Sequence, residues 1–163
     1  MSGKHLIESP TKADGAALWR IARDSKKLDL NSSYAYLLWC HDFADTSVVA
    51  KVDGSAVGFV LGYRKQDTGF VWQVAVDASQ RGKGLAGALL DELFSRLVAQ
   101  GVRYLETTIT PDNEASIRLF ASFAKRWDTD LERRDLFSAA DFPAEDGTHE
   151  QEDLYRIGPL TSR

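Results

Sequence analysis

A chain of 163 residues, 44% of them apolar, is long enough to bury the core of one domain. Its net charge of -4, with basic residues scattered and never more than two in a row, leaves no basic stripe for non-specific nucleic-acid binding. No run approaches the ~20 apolar residues of a membrane span, the opening Met1-Ser2-Gly3-Lys4-His5 lacks the apolar stretch of a secretory signal, and the lone Cys40 has no internal disulfide partner, so a reducing cytoplasm is expected.

In chain order, residues 4–9 predict a short strand. Residues 12–24 predict a helix with Thr11 as its N-cap. A second amphipathic helix is expected over 34–43, introduced by Asn31-Ser32-Ser33. Three strands follow at 47–52, 56–64 and 70–77. Asp53-Gly54 joins the first two as a tight hairpin turn, and Thr68-Gly69 is expected to separate the second from the third. The period then changes. Leu85, Leu89, Leu93 and Leu97 recur every four residues, with Leu90, Phe94 and Val98 beside them, which predicts a buried helical face over 84–100 stopped by Gly101. Residues 103–110 predict a strand ended by Pro111. Asn113 opens a last helix running to Trp127, and 154–157 predict a final strand. Residues 128–153 carry ten acidic side chains against only Arg133 and Arg134. A strand is expected near 131–137, and the remainder, about 138–153, as an acidic loop or lid. This order argues for a single domain over 1–163, of α/β (α+β) class, with a mixed sheet flanked by helices.

The segment that carries chemistry joins the hydrophobic strand Val74-Ala75-Val76 to the turn Gln80-Arg81-Gly82-Lys83-Gly84 and the helix start Leu85-Ala86-Gly87. Glycines let a backbone approach a ligand closely. The first turn of a helix offers unpaired N–H groups and a partial positive charge, which together form an anion cradle. Arg81 and Lys83 add charge without blocking it. Gly82-x-Gly84-x-x-Gly87 formally matches a dinucleotide fingerprint, but it follows antiparallel strands and lacks the acidic strand end of that motif. The plainer reading is a glycine-rich turn that binds nothing. No metal site is expected.

Arg81-x-x-Gly84-x-Ala86 after Trp72-Gln73-Val74-Ala75-Val76 resembles motif A of the GNAT acetyltransferases, and Asn113-Glu114-Ala115-Ser116-Ile117-Arg118-Leu119-Phe120 resembles their motif B helix. The resemblance implies the GNAT fold, a mostly antiparallel sheet with a splayed parallel strand pair, and acetyl-CoA as co-substrate. It places the pyrophosphate on the backbone of Arg81 to Gly87. The pantetheine chain would run between the strands of Val74–Val76 and Glu106–Thr110, with the Val74 N–H polarising the thioester carbonyl and Asn113 touching the CoA chain. Phe120 stands where many members have a tyrosine that protonates the leaving thiolate, so the acid is left unassigned.

The longer phrases Leu28-Asp29-Leu30-Asn31-Ser32-Ser33-Tyr34-Ala35-Tyr36, Phe70-Val71-Trp72-Gln73-Val74-Ala75-Val76-Asp77, Leu105-Glu106-Thr107-Thr108-Ile109-Thr110-Pro111-Asp112-Asn113-Glu114-Ala115-Ser116 and His149-Glu150-Gln151-Glu152-Asp153-Leu154-Tyr155 resemble one subfamily, the diaminobutyrate acetyltransferases of ectoine biosynthesis. This implies transfer to the γ-amine of L-2,4-diaminobutyrate, a precursor of a compatible solute. A substrate with two ammonium groups needs carboxylates or aromatic faces. Trp72, expected on the same strand face as Val74, and Asp29, Asn31 and Glu152 are the substrate-binding candidates. Glu106 or His149 is the candidate proton relay. Their plainer readings are core packing for Trp72, helix capping for Asp29 and Asn31, a paired sheet residue for Glu106, and a solvated loop for His149 and Glu152. An exposed edge strand and the resemblance suggest a homodimer. The rival functions are acetylation of another small amine and a non-catalytic acyl-CoA-binding sensor.

Overall fold

The computed structural model describes residues 5–26, 28–147 and 149–162. The first described element is β1 (Leu6–Glu8); of the strand expected over 4–9, Lys4 lies outside the described residues, and His5 and Ser9 fall outside the strand. A 3-10 turn over Lys12–Asp14 leads into α1 (Gly15–Ser25), so the first helix starts later than its apolar period predicts. The Asp14 carboxylate accepts from the Thr11 N–H at 2.8 Å and so fixes the entry. In α2 (Ser33–Asp42) the Ser32 side chain accepts from the Ala35 N–H, the usual N-cap arrangement.

Next come β2 (Val48–Val52), β3 (Ser55–Lys65) and β4 (Thr68–Val76). Asp53 and Gly54 both have positive φ, 51° and 82°, as a two-residue hairpin of this hand requires. The second hairpin departs from expectation. Its turn is Gln66-Asp67, with Gln66 at φ 58°, and Thr68 pairs with Lys65 as the first residue of β4. Thr68 and Gly69 are buried in the strand, and a Cβ on Gly69 would lie 3.0 Å from the Phe94 ring.

The rest of the chain is α3 (Leu85–Ala99), β5 (Tyr104–Ile109), α4 (Glu114–Arg126), β6 (Asp130–Phe137) and β7 (Glu152–Gly158). The segment between β6 and β7 is less irregular than its composition implies, with 3-10 turns at Ala139–Asp141 and Ala144–Asp146.

The seven strands form one sheet in the order β1-β2-β3-β4-β5-β7-β6, antiparallel except for the central pair β4 and β5. Helices cover both faces. On one side Leu85, Leu89, Leu93 and Leu97 of α3 and Phe120 and Phe123 of α4 pack on Val60, Val71 and Leu105. Each such buried side chain contributes roughly 1.5–3 kcal/mol by leaving water. On the other side Leu18, Ile21, Tyr36 and Cys40 of α1 and α2 pack on Val49, Phe59, Leu61 and Ala75. The strand residues of this second cluster come from β2, β3 and β4.

Candidate active site

The site begins with one extra residue. Along β3, Leu61 pairs with Gln73 and its neighbour Gly62 with Val71, so Trp72 has no partner and forms a β-bulge. A Cβ on Gly62 would lie 2.6 Å from the Phe70 carbonyl oxygen, which restricts that position to glycine. Ser47 and Thr46 hold the distortion. The Gly62 N–H donates to Ser47 Oγ at 3.1 Å, and Thr46 Oγ1 donates to the Gly62 carbonyl at 2.7 Å.

A bulge breaks the alternation of faces. Val71 and Val74 pack with the α3 and α4 layer, whereas Trp72 packs with the α1 and α2 layer and Gln73 bonds to Tyr36 there. The expectation that Trp72 shares a face with Val74 is therefore corrected: the two residues lie on opposite sides of the sheet. Trp72 stacks on Trp39, with ring centroids 4.1 Å apart and planes 13° from parallel.

The bulge also ends the parallel pairing. The last partners are Val71 and Thr107, tied by Thr107 Oγ1 donating to the Val71 carbonyl at 2.9 Å. Beyond them β4 and β5 diverge, and a cavity of about 860 Å³ opens in the split. Trp72, Gln73 and Val74 line one wall and Thr108, Ile109 and Thr110 the other, with the start of α4 and Phe120 behind. Asn113 caps α4 by accepting from the Ser116 N–H at 3.2 Å and also faces the cavity.

Two segments far apart in sequence close the open side: the α1–α2 loop, bearing Asp29 and Asn31, and residues 149–152. His149 Nε2 lies 3.0 Å from Asp29 Oδ2, and its Nδ1 lies 2.6 Å from the Glu150 carbonyl oxygen. Phe142 stacks on the imidazole at 3.7 Å. The hydrogen bond to Asp29 favours the protonated ring and raises the His149 pKa above its ordinary value. Glu152, half-buried, accepts from Thr108 Oγ1 at 3.2 Å, and its burial pushes the carboxyl pKa up. Asp112 and Glu150 share a hydrogen bond between their side chains, which holds the Glu150 carboxyl above and the Asp112 carboxyl below the usual range. The lining thus places Asp29, Asp112, Glu114, Glu150 and Glu152 against Lys26 and Arg118, a balance that favours a cationic guest.

The structure brings Asp29, Asn31, Trp72, Val74, Asn113, His149 and Glu152 together around this cavity. Glu106 is not among the lining residues. Its carboxylate accepts from Arg156 at 2.8 Å on the neighbouring strand, and that guanidinium lies 3.8 Å over the Tyr104 ring. Nothing local in the sequence shows that a residue 50 positions away takes up this carboxylate.

The glycine turn follows the end of β4 by way of a 3-10 turn at Ala78–Gln80, and its residues are not among those lining the cavity. Gly82 and Gly84 have φ of 78° and 75°, and a Cβ at either would meet only open space. The turn delivers the N-terminus of α3, whose first N–H groups have no partner within the helix. Ala86 and Gly87 follow in its first turn, while the side chain of Leu85 is buried in the core and leaves its backbone for any contact. Arg81 and Lys83 are exposed beside it. Val76 packs on the core at the strand end. Backbone that approaches without side chains, at a positive helix end, fits a diphosphate.

Sequence reasoning did not single out Tyr36, Thr108, Asp112 or Glu150 as site residues. A glutamine within the apolar strand Phe70-Val71-Trp72-Gln73-Val74 was a visible signal for Gln73. The Asp112–Glu150 contact has no counterpart in local pattern.

A mixed sheet split at its central parallel pair, with a glycine turn at the start of the following helix, defines an acyl-transferase class of site. The sequence model of the acetyltransferase (GNAT) family matches residues 16–124, and the chain belongs to that family. Among named relatives, the L-2,4-diaminobutyric acid acetyltransferase of Streptomyces coelicolor is 59% identical over 161 residues, covering 96% of this chain and 94% of the relative. That of Nocardia farcinica is 54% identical, covering 97% and 82%. The solved structure of diaminobutyrate acetyltransferase EctA from Paenibacillus lautus, in complex with its substrate L-2,4-diaminobutyric acid and coenzyme A, superposes with a TM-score of 0.90 at 40% identity, covering 96% of each chain.

Proposed function

We propose that this protein transfers the acetyl group of acetyl-CoA to the γ-amino group of L-2,4-diaminobutyrate, yielding N-γ-acetyl-2,4-diaminobutyrate for ectoine biosynthesis. The observation that carries the reading is the acid-lined cavity in the β4–β5 split, closed by Asp29, His149 and Glu152, in a chain 59% identical to a protein named for that activity. Acetyl-CoA supplies the acyl group as a thioester, with its diphosphate on the backbone of Arg81 to Gly87, its chain beside Val74, Val76 and Asn113, and the Val74 N–H polarising its carbonyl.

The acceptor amine resembles a lysine head group, with an ordinary pKa of ~10.4, so at neutral pH on the order of one molecule in a thousand is unprotonated. It must lose a proton before its nitrogen attacks the thioester carbon. Asp29 and Glu152 hold the α-ammonium end, and the aromatic face of Trp72 shields the reacting end from water. Both ring nitrogens of His149 face oxygen acceptors at rest, so it accepts the proton, directly or through water, once its Nε2 has left Asp29 and that carboxylate has turned to the α-ammonium. With Glu106 engaged by Arg156, the proton route runs through His149. As the C–N bond forms and the C–S bond breaks, CoA leaves as thiolate without a tyrosine in place of Phe120, its thiol pKa being ~8.5, and the thiolate takes up the second proton that the acylated nitrogen sheds to become the amide.

The product would be a precursor of a compatible solute, in keeping with a cytoplasmic enzyme of the osmotic-stress response. The edge strand β6, with Leu136 and Phe137 exposed, suits a homodimer. The test is an assay of thiol release with a panel of amines, followed by NMR of the product. Turnover on diaminobutyrate with γ-acetylation supports the reading. A mainly α-acetyl product, preference for another amine, or acetyl-CoA binding without turnover on any amine overturns it.

A further inference from the structure

The bulge at Trp72 does more than open the split. It turns the next side chain, Gln73, into the contact between the sheet and the α2 layer. Gln73 is 5% exposed, and a buried primary amide requires partners at both ends. Widely separated parts of the chain provide them. The Tyr36 hydroxyl, itself fully buried, donates to Gln73 Oε1 at 2.8 Å, and Gln73 Nε2 donates to the Asp29 carbonyl at 3.1 Å. The same carbonyl accepts from Asn31 Nδ2 at 3.1 Å.

Residues 28–32 have no helix or strand geometry to hold them, and the Asp29 side chain is 83% exposed. Their backbone is nevertheless tied at Asp29 to an amide rooted beside the β-bulge of β4. The carboxylate that meets His149 therefore belongs to a residue whose carbonyl is held by a part-buried hydrogen bond.

We propose that Gln73 is a positioning residue which, together with Tyr36, sets the α1–α2 loop over the cavity and thereby fixes affinity for the amine substrate. Both polar ends of Gln73 are occupied within the protein, so it acts through Asp29 and Asn31. The inference rests on the diaminobutyrate reading for its substrate, but the tether itself can be measured without any substrate.

Three variants test it. Gln73→Met keeps the length and removes both bonds. Gln73→Glu keeps an acceptor for Tyr36 but sets a carboxylate oxygen against the Asp29 carbonyl. Tyr36→Phe removes one bond and leaves the Gln73–Asp29 link. In the Gln73 variants, KM for diaminobutyrate should rise about tenfold or more, the order expected when a buried hydrogen-bonding group loses its partner. KM for acetyl-CoA should stay within about twofold, since the loop carries none of the residues assigned to CoA, and kcat should change by less than KM for the amine, through the contact of Asp29 with His149 alone. Tyr36→Phe should give a smaller rise in the same constant. Amide exchange across residues 28–32 should accelerate by a similar factor, with α3 unchanged. Where Gln73→Met does not fold, Gln73→Glu and Tyr36→Phe carry the same comparison. An unaltered KM for the amine, or equal rises for both substrates, overturns the proposal. If the wild-type protein does not turn over diaminobutyrate, the reaction assignment falls and exchange decides the tether: acceleration confined to residues 28–32 supports it, and unchanged exchange overturns it.

Discussion

At His149 a single hydrogen bond links proton chemistry to loop docking. Asp29 favours the imidazolium, so the docked ring holds its proton to higher pH than a free histidine. By linkage, this contribution to docking is fully present below the ordinary imidazole pKa of ~6.5 and is lost as pH rises through the docked, higher value. The neutral ring needed to accept a proton appears over the same interval, so kcat should rise with pH through that raised value. NMR titration of His149 should show a pKa above the ordinary value, falling toward it in Asp29→Asn. An unchanged titration in that variant would remove Asp29 as the cause. Cys40 lies at the opposite extreme. Burial pushes its thiol up to about 11, so it holds no thiolate to attack a thioester at neutral pH. Cys40→Ala should retain most activity with ternary-complex kinetics, and an acetylated Cys40 peptide in mass spectra would contradict this.

Among the elements, the turn before α3 combines an unusual backbone with an open approach. Gly84 has φ of 75° and is the N-cap of α3. A Cβ there has no neighbouring atom within 4 Å, so the cost to folding comes chiefly from the left-handed conformation, roughly 1–2 kcal/mol. Gly84→Val should therefore remain folded by circular dichroism yet lose most of its acetyl-CoA affinity by calorimetry. Unchanged affinity would move the diphosphate elsewhere. This turn was legible because spacing, glycine content and the change of hydrophobic period coincide at Arg81 to Leu85. So were the helices and the Asp53-Gly54 hairpin. The second hairpin was misplaced because Thr68-Gly69 carries a turn composition, whereas Gln66-Asp67 does not. Trp72 was assigned to the wrong face because a one-residue bulge leaves no mark in the apolar pattern of Val71 to Val76. The site was legible only as single residues. The His149–Asp29 contact spans 120 positions and the Arg156–Glu106 pair spans 50, and both arise from strand order rather than from local sequence.

Over the whole molecule, the C-terminal strands anchor the segment that closes the cavity. Asp153 of β7 is 1% exposed, and Arg133 of β6 grips its Oδ2 through Nε at 3.0 Å and Nη2 at 2.6 Å, while Gln151 donates to Oδ1 at 3.0 Å. Arg133→Ala leaves a buried carboxylate short of donors. Because the arginine itself is half-exposed, the expected loss is about 1–3 kcal/mol rather than that of a fully buried pair, measurable as a lower midpoint in urea. No loss would show that water replaces the guanidinium freely. The split between β4 and β5 has a different consequence. A sheet whose central strands part leaves its facing backbone edges without protein partners, and such a fold is unfinished until a guest strand-like chain fills the gap. Its stability is then partly set by supply: at a free ligand concentration a hundred times Kd, the folded state gains about 2.7 kcal/mol. Thermal melts titrated with acetyl-CoA should climb logarithmically with its concentration. Adenosine 3′,5′-diphosphate, which lacks the pantetheine chain, should give a much smaller rise at the same multiple of the acetyl-CoA Kd. In a cell, the abundance of this protein would follow the acetyl-CoA pool, with chains starved of their guest passing first to proteases.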